Sequence, residues 1–281
     1  MPELPEVEST VRYLRDKILD SRIVGAEVHW ARTIDRPAVR TFQRTLIGSR
    51  VSEVTRRGKF IVMKLTRTKK PDCFLLGHLR MSGSMDVIRS TSPLAKHDRV
   101  VLRLQNGKDL RFNDPRKFGR FYLVEELTEI TGKLGYEPLD AALTETVFFQ
   151  HMRSKRGILK SLLLDQTFLA GVGNIYADEC LWKAGLHPRR TADSVTEEEA
   201  SLLLRELRAT LLEAIDSKGT DAGDGVVEEG LYEPRAYARD GEPCLKCSTV
   251  MQRMVVGQRG THFCPRCQPL RRSRIQRKRP K

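Results

Sequence analysis

The chain has 281 residues, 40% of them hydrophobic, which is long enough for two domains or for two plus a small module, each with its own core. Fifty basic against 36 acidic side chains give a net charge of +14 and a pI near 9.7, so a polyanionic partner is expected, nucleic acid first among them. The absence of any long apolar run, and of an apolar stretch behind the acidic amino terminus, argues against a secretory signal or a membrane span.

The chain opens Met1-Pro2-Glu3-Leu4-Pro5-Glu6. Removal of Met1 turns Pro2 into a free secondary amine beside two carboxylates. An α-amino group has a reference pKa of ~7.7–8.0 against ~10.4 for lysine, so a useful fraction is neutral at cellular pH. Attack by such an amine on an aldehyde-level carbon gives an iminium, an electron sink for elimination at the neighbouring carbon. The same residues also fit an ordinary helix start, with Pro5 at the first helical position, Glu6 and Glu8 favoured by the dipole, and Pro2 frayed. Taken alone, the terminus favours the helix-start reading, and only the rest of the chain can overturn it. Val7, Val11, Leu14 and Ile18 recur at i, i+4, i+7 and i+11 and predict an amphipathic helix from about Pro5 to Leu19.

Short β-rich runs follow at Ile23–Val28, Val51–Val54, Phe60–Leu65, Phe74–Met81, Val100–Leu104, Leu110–Phe112 and Phe121–Val124, with Asn106-Gly107 as a hairpin signal. Many short strands with Gly-marked turns predict a β-sandwich. Beyond about residue 130 the pattern is helical, so the fold class is α+β. Ile158–Leu169 has helical composition and is cut by Gly171-Val172-Gly173-Asn174, before a second helical run at Ile175–Ala184. Ser194-x-x-Glu197 has the form of a capping box ahead of a helix with Leu204, Leu207, Leu211 and Ile215 as its buried stripe and Gly219 as its stop.

Cys244-x2-Cys247-x16-Cys264-x2-Cys267 matches a four-thiolate zinc site, closed and therefore structural, holding one Zn2+. Between its halves, Gln252–Val256 and Gly257–Thr261 predict a β-hairpin with Arg259 at the tip. Cys73 and Cys180 lie in apolar surroundings and are expected in the core. These shifts divide the chain into residues 1–130, 131–222, 223–268 and a basic tail, 269–281, which carries seven basic residues and no acid. The tail reads as solvated and disordered.

Several stretches together resemble the formamidopyrimidine-DNA glycosylase family, which also includes endonuclease VIII relatives. They are Pro2-Glu3-Leu4-Pro5-Glu6-Val7-Glu8, Arg56-Arg57-Gly58-Lys59, His78-Leu79-Arg80-Met81-Ser82-Gly83, Lys96-His97-Asp98, Asp114-Pro115-Arg116-Lys117-Phe118-Gly119, Leu164-Asp165-Gln166, Gly171 to Ala177, and Gln258 to Gln268. The resemblance implies a catalytic β-sandwich, a helix-two-turn-helix domain and a zinc finger. It also implies a bifunctional enzyme that excises oxidised or ring-opened bases from double-stranded damaged DNA and cleaves the abasic site by β,δ-elimination. In that scheme Pro2 attacks C1′, Glu3 assists ring opening, Glu6 stands nearby on the first turn, and Lys59 and Arg259 serve the two eliminations. DNA contacts fall to His97, Arg116, Lys155, Lys160 and Asn174. Met81, Arg116 and Phe118 fill the gap left by the everted base. A monomeric cytoplasmic enzyme, associated with the nucleoid through DNA and not with a membrane, is expected. The alternatives are an endonuclease VIII-like pyrimidine glycosylase and a noncatalytic zinc-finger lesion binder.

The chain departs from the family at Lys218–Pro234. Members that remove 8-oxoguanine carry a longer loop there, of the form G-G-T-T-L-R-D-Y followed by G-x-P-G-Y-F, whereas this segment is shorter and acidic. Lesion choice broader than 8-oxoguanine, or shifted toward ring-opened and smaller oxidised bases, is therefore expected.

Overall fold

A computed structural model describes residues 2–220 and 230–270. The centre of the Lys218–Pro234 segment and the tail beyond Leu270 lie outside the described residues. The chain divides into two compact units, residues 1–133 with 214–232, and residues 134–213 with 233–281.

The first unit begins with α1 (Leu4–Ile18), one residue earlier than the periodicity suggests, with Glu3 as its cap and Pro5 in the first turn. Val7, Val11, Leu14 and Ile18 are fully buried, as their spacing requires. The unit continues through β1 (Ile23–Val28), β2 (Ile34–Arg36), α2 (Val39–Leu46), β3 (Arg50–Arg57), β4 (Phe60–Arg67), β5 (Lys70–His78), β6 (Ser84–Arg89), β7 (Asp98–Leu104), β8 (Lys108–Asn113), β9 (Arg120–Val124) and α3 (Thr128–Thr131). The strands form a four-stranded sheet ordered β1-β7-β8-β6 and a five-stranded sheet ordered β2-β9-β5-β4-β3, antiparallel except for β2 against β9. Inward side chains from both sheets share one core with α1: Ile61, Met63, Leu65 and Leu75 come from the larger sheet, Val100, Leu102, Leu110 and Phe112 from the smaller. This is the expected sandwich. Asn106-Gly107 turns β7 into β8, with Gly107 at φ +76° and the Asn106 side chain accepting the Lys108 N–H at 3.2 Å.

In this unit α2, α3, β2 and β6 escape the sequence pattern. Helix α2 buries only Phe42 and Leu46, too few positions for a periodic signal. Strand β2 is three residues long with two of them charged, β6 is half polar without strict alternation, and their place is set by pairing with β9 and β8. The run predicted as strand to Met81 ends at His78; Leu79 turns into the core, and Arg80 takes a left-handed φ of +59°.

The second unit carries α4 (Glu145–Arg153), α5 (Leu159–Leu164), α6 (Asn174–Lys183), α7 (Glu197–Asp216, its last residues counted with the first unit), β10 (Gln252–Val256) and β11 (Arg259–Phe263). Helix α5 stops at Leu164, not at Leu169. Asp165 Oδ1 accepts the N–H and hydroxyl of Thr167 at 2.9 and 2.8 Å, closing a turn that competes with the helix. Gln166 then spans the glycine-rich turn, donating to Leu164 O and Val172 O and accepting the Gly171 N–H. Gly171 has φ +92°. The capping box of α7 is Thr196-x-x-Glu199, two residues beyond the predicted one. Thr196 Oγ1 accepts the Glu199 N–H at 3.3 Å, and Glu199 Oε2 accepts the Thr196 N–H at 3.0 Å. Ser194 instead ends a short 3-10 turn, its hydroxyl donating to Thr191 O. At the other end Gly219, φ +90°, donates to Ala214 O and closes the helix as expected.

No helix among the described residues is long and apolar enough to cross a membrane. Thr196→Ala is expected to lower stability by about 1 kcal/mol in urea or thermal unfolding, and Ser194→Ala, which leaves that cap intact, to lower it less.

Candidate active site and zinc centre

The amino terminus is not frayed. Pro2 is buried, and Glu3 and Glu6 are 2% and 4% exposed. Glu6 ties the terminus down with both oxygens: Oε2 accepts the Glu3 N–H at 2.7 Å and Oε1 accepts the Thr220 N–H at 3.0 Å. Gly219 packs so closely that a Cβ there would meet Glu6 Oε1 at 2.7 Å. Glu6 therefore positions the residues beside Pro2 and fixes the start of the Lys218–Pro234 segment to them.

Lys59 lies in the tight turn between β3 and β4, after Gly58 at φ +57°, and is 8% exposed. Arg56 organises that turn, donating from Nη1 to Gly58 O at 2.9 Å and from Nε to Glu8 Oε2 of α1 at 3.3 Å. Across the strand pair, Phe60 faces His78, whose ring is pushed down to a pKa of about 3 by burial and by the charges of Arg80 and Lys59. His78 is thus a neutral acceptor, and its Nδ1 takes the Arg80 N–H at 3.0 Å. A cavity of about 940 Å³ opens in the same unit, lined by Glu6, Tyr13, Leu79, Met85 and Ile215 among others. Most of its remaining lining is polar or charged, with Asp16, Asp86, Asp98, Arg111 and Asn113 among the residues, so it offers many hydrogen-bonding groups to an occupant.

Met81 and Phe118 are 38% and 47% exposed, unusual for large apolar side chains in tight loops, and Arg116 stacks over the Phe118 ring at 5.3 Å. His97 lies 3.0 Å through Nδ1 from Arg99 Nη2. Because an arginine only donates, Nδ1 must accept, which leaves the His97 proton on Nε2.

In the second unit Lys155 is exposed, while Asn174 opens α6 and donates from Nδ2 to Gly260 O at 3.0 Å. Lys160 corrects the expectation of a DNA contact. Its side chain is fully buried, ion-paired with Asp178 at 2.6 Å and donating to Gly260 O and Thr261 Oγ1, both at 2.9 Å. The expectation came from the family resemblance alone; the direction of the side chain is set by Asp178, which also accepts the His262 N–H at 2.9 Å. Lys160 and Asn174 thus seat β11 at Gly260, next to Arg259. Arg259 is exposed and follows the turn Gly257-Gln258, where both residues have positive φ, as a two-residue hairpin requires.

The four Sγ atoms of Cys244, Cys247, Cys264 and Cys267 lie within 4.8 Å of one another. Cys247–Cys267, Cys247–Cys264 and Cys244–Cys267 separate by 3.4, 3.5 and 3.9 Å. A tetrahedral site with Zn–S bonds of ~2.3 Å has edges of ~3.8 Å, so the donor set fits one zinc. Trp182 Nε1 donates to Cys244 Sγ at 3.4 Å, the outer support expected of a thiolate ligand. Cys73 and Cys180 are buried core residues, and burial pushes the Cys180 thiol up.

These three parts match known families along nearly the whole chain. Residues 1–121 match the formamidopyrimidine-DNA glycosylase N-terminal domain, 134–224 the formamidopyrimidine-DNA glycosylase H2TH domain, and 241–270 the zinc finger found in FPG and IleRS. The formamidopyrimidine-DNA glycosylase of Protochlamydia amoebophila is 37% identical over 278 residues, covering 95% of this chain and 99% of its own. Among solved structures, Lactococcus lactis Fpg in complex with DNA containing an abasic site superposes with a TM-score of 0.86 at 32% identity, covering 95% of this chain and 99% of that one. MutM in complex with DNA containing carbocyclic 8-oxo-G gives 0.87 at 32% identity, covering 95% and 100%. The chain belongs to the formamidopyrimidine-DNA glycosylase family.

Replacing Lys160 with Met leaves Asp178 buried without its cation, so stability is expected to fall by about 3–5 kcal/mol in urea unfolding. A lysine serving only DNA would instead change the salt dependence of binding and leave stability alone.

Proposed function

We propose that the chain is a base-excision DNA glycosylase and abasic-site lyase whose nucleophile is the amine of Pro2. The observation that supports this reading is the burial of Pro2 and Glu3, with Glu6 tied not only to the Glu3 N–H, as in an ordinary capping box, but also to the Thr220 N–H far along the chain. With Met1 removed, the Pro2 nitrogen attacks C1′ of the everted nucleotide and the bond to the damaged base breaks, the base leaving with a proton. Glu3 assists opening of the sugar ring, and the positively charged iminium at C1′ makes the C2′ proton acidic. Loss of that proton expels the 3′ phosphate, and a second elimination expels the 5′ phosphate. Lys59 and Arg259 are phosphate partners in these eliminations, and His97, Arg116, Lys155 and Asn174 bind the DNA backbone. Met81, Arg116 and Phe118 fill the vacated stack, and the everted base occupies the cavity beside Glu6. The relatives are named for the same activity, and the solved ones hold abasic or 8-oxo-G DNA.

Borohydride trapping on abasic-site DNA tests this directly. A covalent complex is expected with the processed protein and none with Pro2→Glu, whose large second residue keeps Met1 in place so that no free amine stands at position 2; a crosslink that survives unchanged would remove Pro2 from its role. No crosslink with the unaltered protein would favour a noncatalytic lesion binder.

Lesion choice is proposed to be broader than 8-oxoguanine, because Lys218–Pro234 is short and acidic. In single-turnover excision, formamidopyrimidine and oxidised-pyrimidine duplexes are expected to react at least as fast as 8-oxoguanine; a strong 8-oxoguanine preference would overturn the idea.

A further inference from the structure

Three loops carrying Met81, His97, Arg116 and Phe118 meet at one residue for which the sequence suggests no task, two of them at its side chain and the His97 loop at its main chain. Asp114 follows β8 and is fully buried. Its Oδ1 accepts the Ser82 hydroxyl at 2.7 Å and the Arg116 N–H at 3.2 Å. Its Oδ2 accepts the Gly119 N–H at 2.7 Å. The main chain is engaged as well: the Asp114 N–H donates to His97 O at 2.9 Å, and its carbonyl accepts Arg99 Nε at 2.9 Å. Arg99 in turn reaches His97 Nδ1. One carboxylate therefore spans the loop behind Met81 and both ends of the loop that carries Arg116 and Phe118.

Phe112, two residues earlier and buried, supplies the floor. A Cβ on Gly83 would come within 2.7 Å of its ring, and a Cβ on Gly119 would run into the same ring edge. Both loops thus rest on one aromatic ring and hang from one carboxylate. Each also contains a non-glycine residue at left-handed φ, Arg80 at +59° and Lys117 at +61°, a conformation that persists only where surrounding contacts impose it. Lys117 Nζ is further held over the Trp30 ring at 4.1 Å. Exposed apolar side chains at the ends of loops this tightly fixed form a preset wedge, not a pair of adaptable surfaces.

We propose that Asp114 is the positioning residue of the wedge: it holds Met81 apart from Arg116 and Phe118 at a spacing set before DNA arrives. This rests on the wedge reading given above. Inserting side chains into a base stack gains rate only if they are already in place when the base leaves, because ordering them during insertion adds to the unstacking cost. Asp114 should then matter for evicting a stacked base and matter little once no base remains to be evicted.

The test compares two substrates for the same protein in single turnover: a duplex with a formamidopyrimidine lesion, and the same duplex with a preformed abasic site. Asp114→Asn places amide hydrogens against the donors of Ser82, Arg116 or Gly119. Base excision is expected to fall about tenfold or more while strand cleavage at the abasic site changes less than about threefold. The fluorescence rise of a 2-aminopurine neighbouring the lesion, which reports unstacking, should slow in parallel. Ser82→Ala removes one of the three side-chain ties and should give a smaller effect in the same direction. It carries the test if Asp114→Asn loses cooperative unfolding. Equal losses on both substrates, or wild-type excision by the variants, would overturn the proposal. Failure of the unaltered protein to excise or to cleave would instead refute the glycosylase reading itself, with no bearing on Asp114.

Discussion

Glu6 is where the chemistry of the terminus meets the rigidity of the sandwich, because its carboxylate accepts one N–H from Glu3 and another from Thr220 while its own helix cannot move. Hydrogen bonds to charged groups typically contribute about 1.5–3 kcal/mol each, comparable with the roughly 1–2 kcal/mol that ordering one residue's backbone costs. Helix α1 is immobilised in turn. Val7, Val11, Leu14 and Ile18 are sealed in the core, and Arg15 clamps Val54 O through Nε and Nη2 at 3.0 and 2.9 Å. Order therefore passes from the packed sheets to α1, from α1 to Glu6, and from Glu6 to the residues beside Pro2. A nucleophile at a chain terminus is useful only if such a path exists, since a misplacement of an ångström removes much of the gain from proximity.

The same device recurs wherever a loop has to be exact. Asp114 gathers the wedge loops, Asp178 holds Lys160 and the His262 N–H, and Glu179 accepts the N–H groups of Arg235, Ala236 and Tyr237 at 2.9, 2.7 and 2.8 Å. Asp114, Asp178 and Glu179 are fully buried. A buried carboxylate is costly unless several donors converge on it, and backbone N–H groups of a tight loop are donors that would otherwise be orphaned. There is an electrostatic consequence. The anchors Asp114, Asp178 and Glu179 are buried, as are the cations Lys59, Lys160, Arg111 and Arg190, so part of each sign is spent inside the fold.

Legibility in the sequence followed the range of the interaction. The stripe of α1, the Asn106-Gly107 hairpin and the four-cysteine spacing are local patterns with local causes, and each was readable as it stands. Helix α2 and strands β2 and β6 exist because of what they pair with or lie against, and their own residues carry little signal. The cap of α7 illustrates a finer limit: Ser194-x-x-Glu197 and Thr196-x-x-Glu199 both satisfy the pattern, and the choice falls to Thr196 because Glu199 also binds Arg190, at 2.7 and 2.8 Å. Lys160 marks the opposite failure. A lysine in a helical run reads as a surface cation until the position of Asp178, eighteen residues on, is known. Asp114 stands in a quoted motif, yet nothing in the sequence indicates that Ser82 and Gly119 converge on it.

The finger makes clear why one support would not suffice for Arg259. A two-stranded hairpin has no core of its own and is marginal in water. Strands β10 and β11 are held at their base by the cysteine cluster, where Trp182, Ala236 and Met251 pack around Cys244 and Cys264. Near the tip they are held by Lys160 and Asn174, both bonded to Gly260 O. Base and tip of a five-residue strand are separated by roughly 13 Å at the rise of a β-strand. A rod fixed only at its base can pivot, and over that length a tilt of a few degrees displaces its end by about an ångström, an error that the role proposed for Arg259 would not tolerate. Metal and buried ion pair are thus not redundant: zinc sets where the hairpin starts, and the Lys160–Asp178 pair sets where it ends.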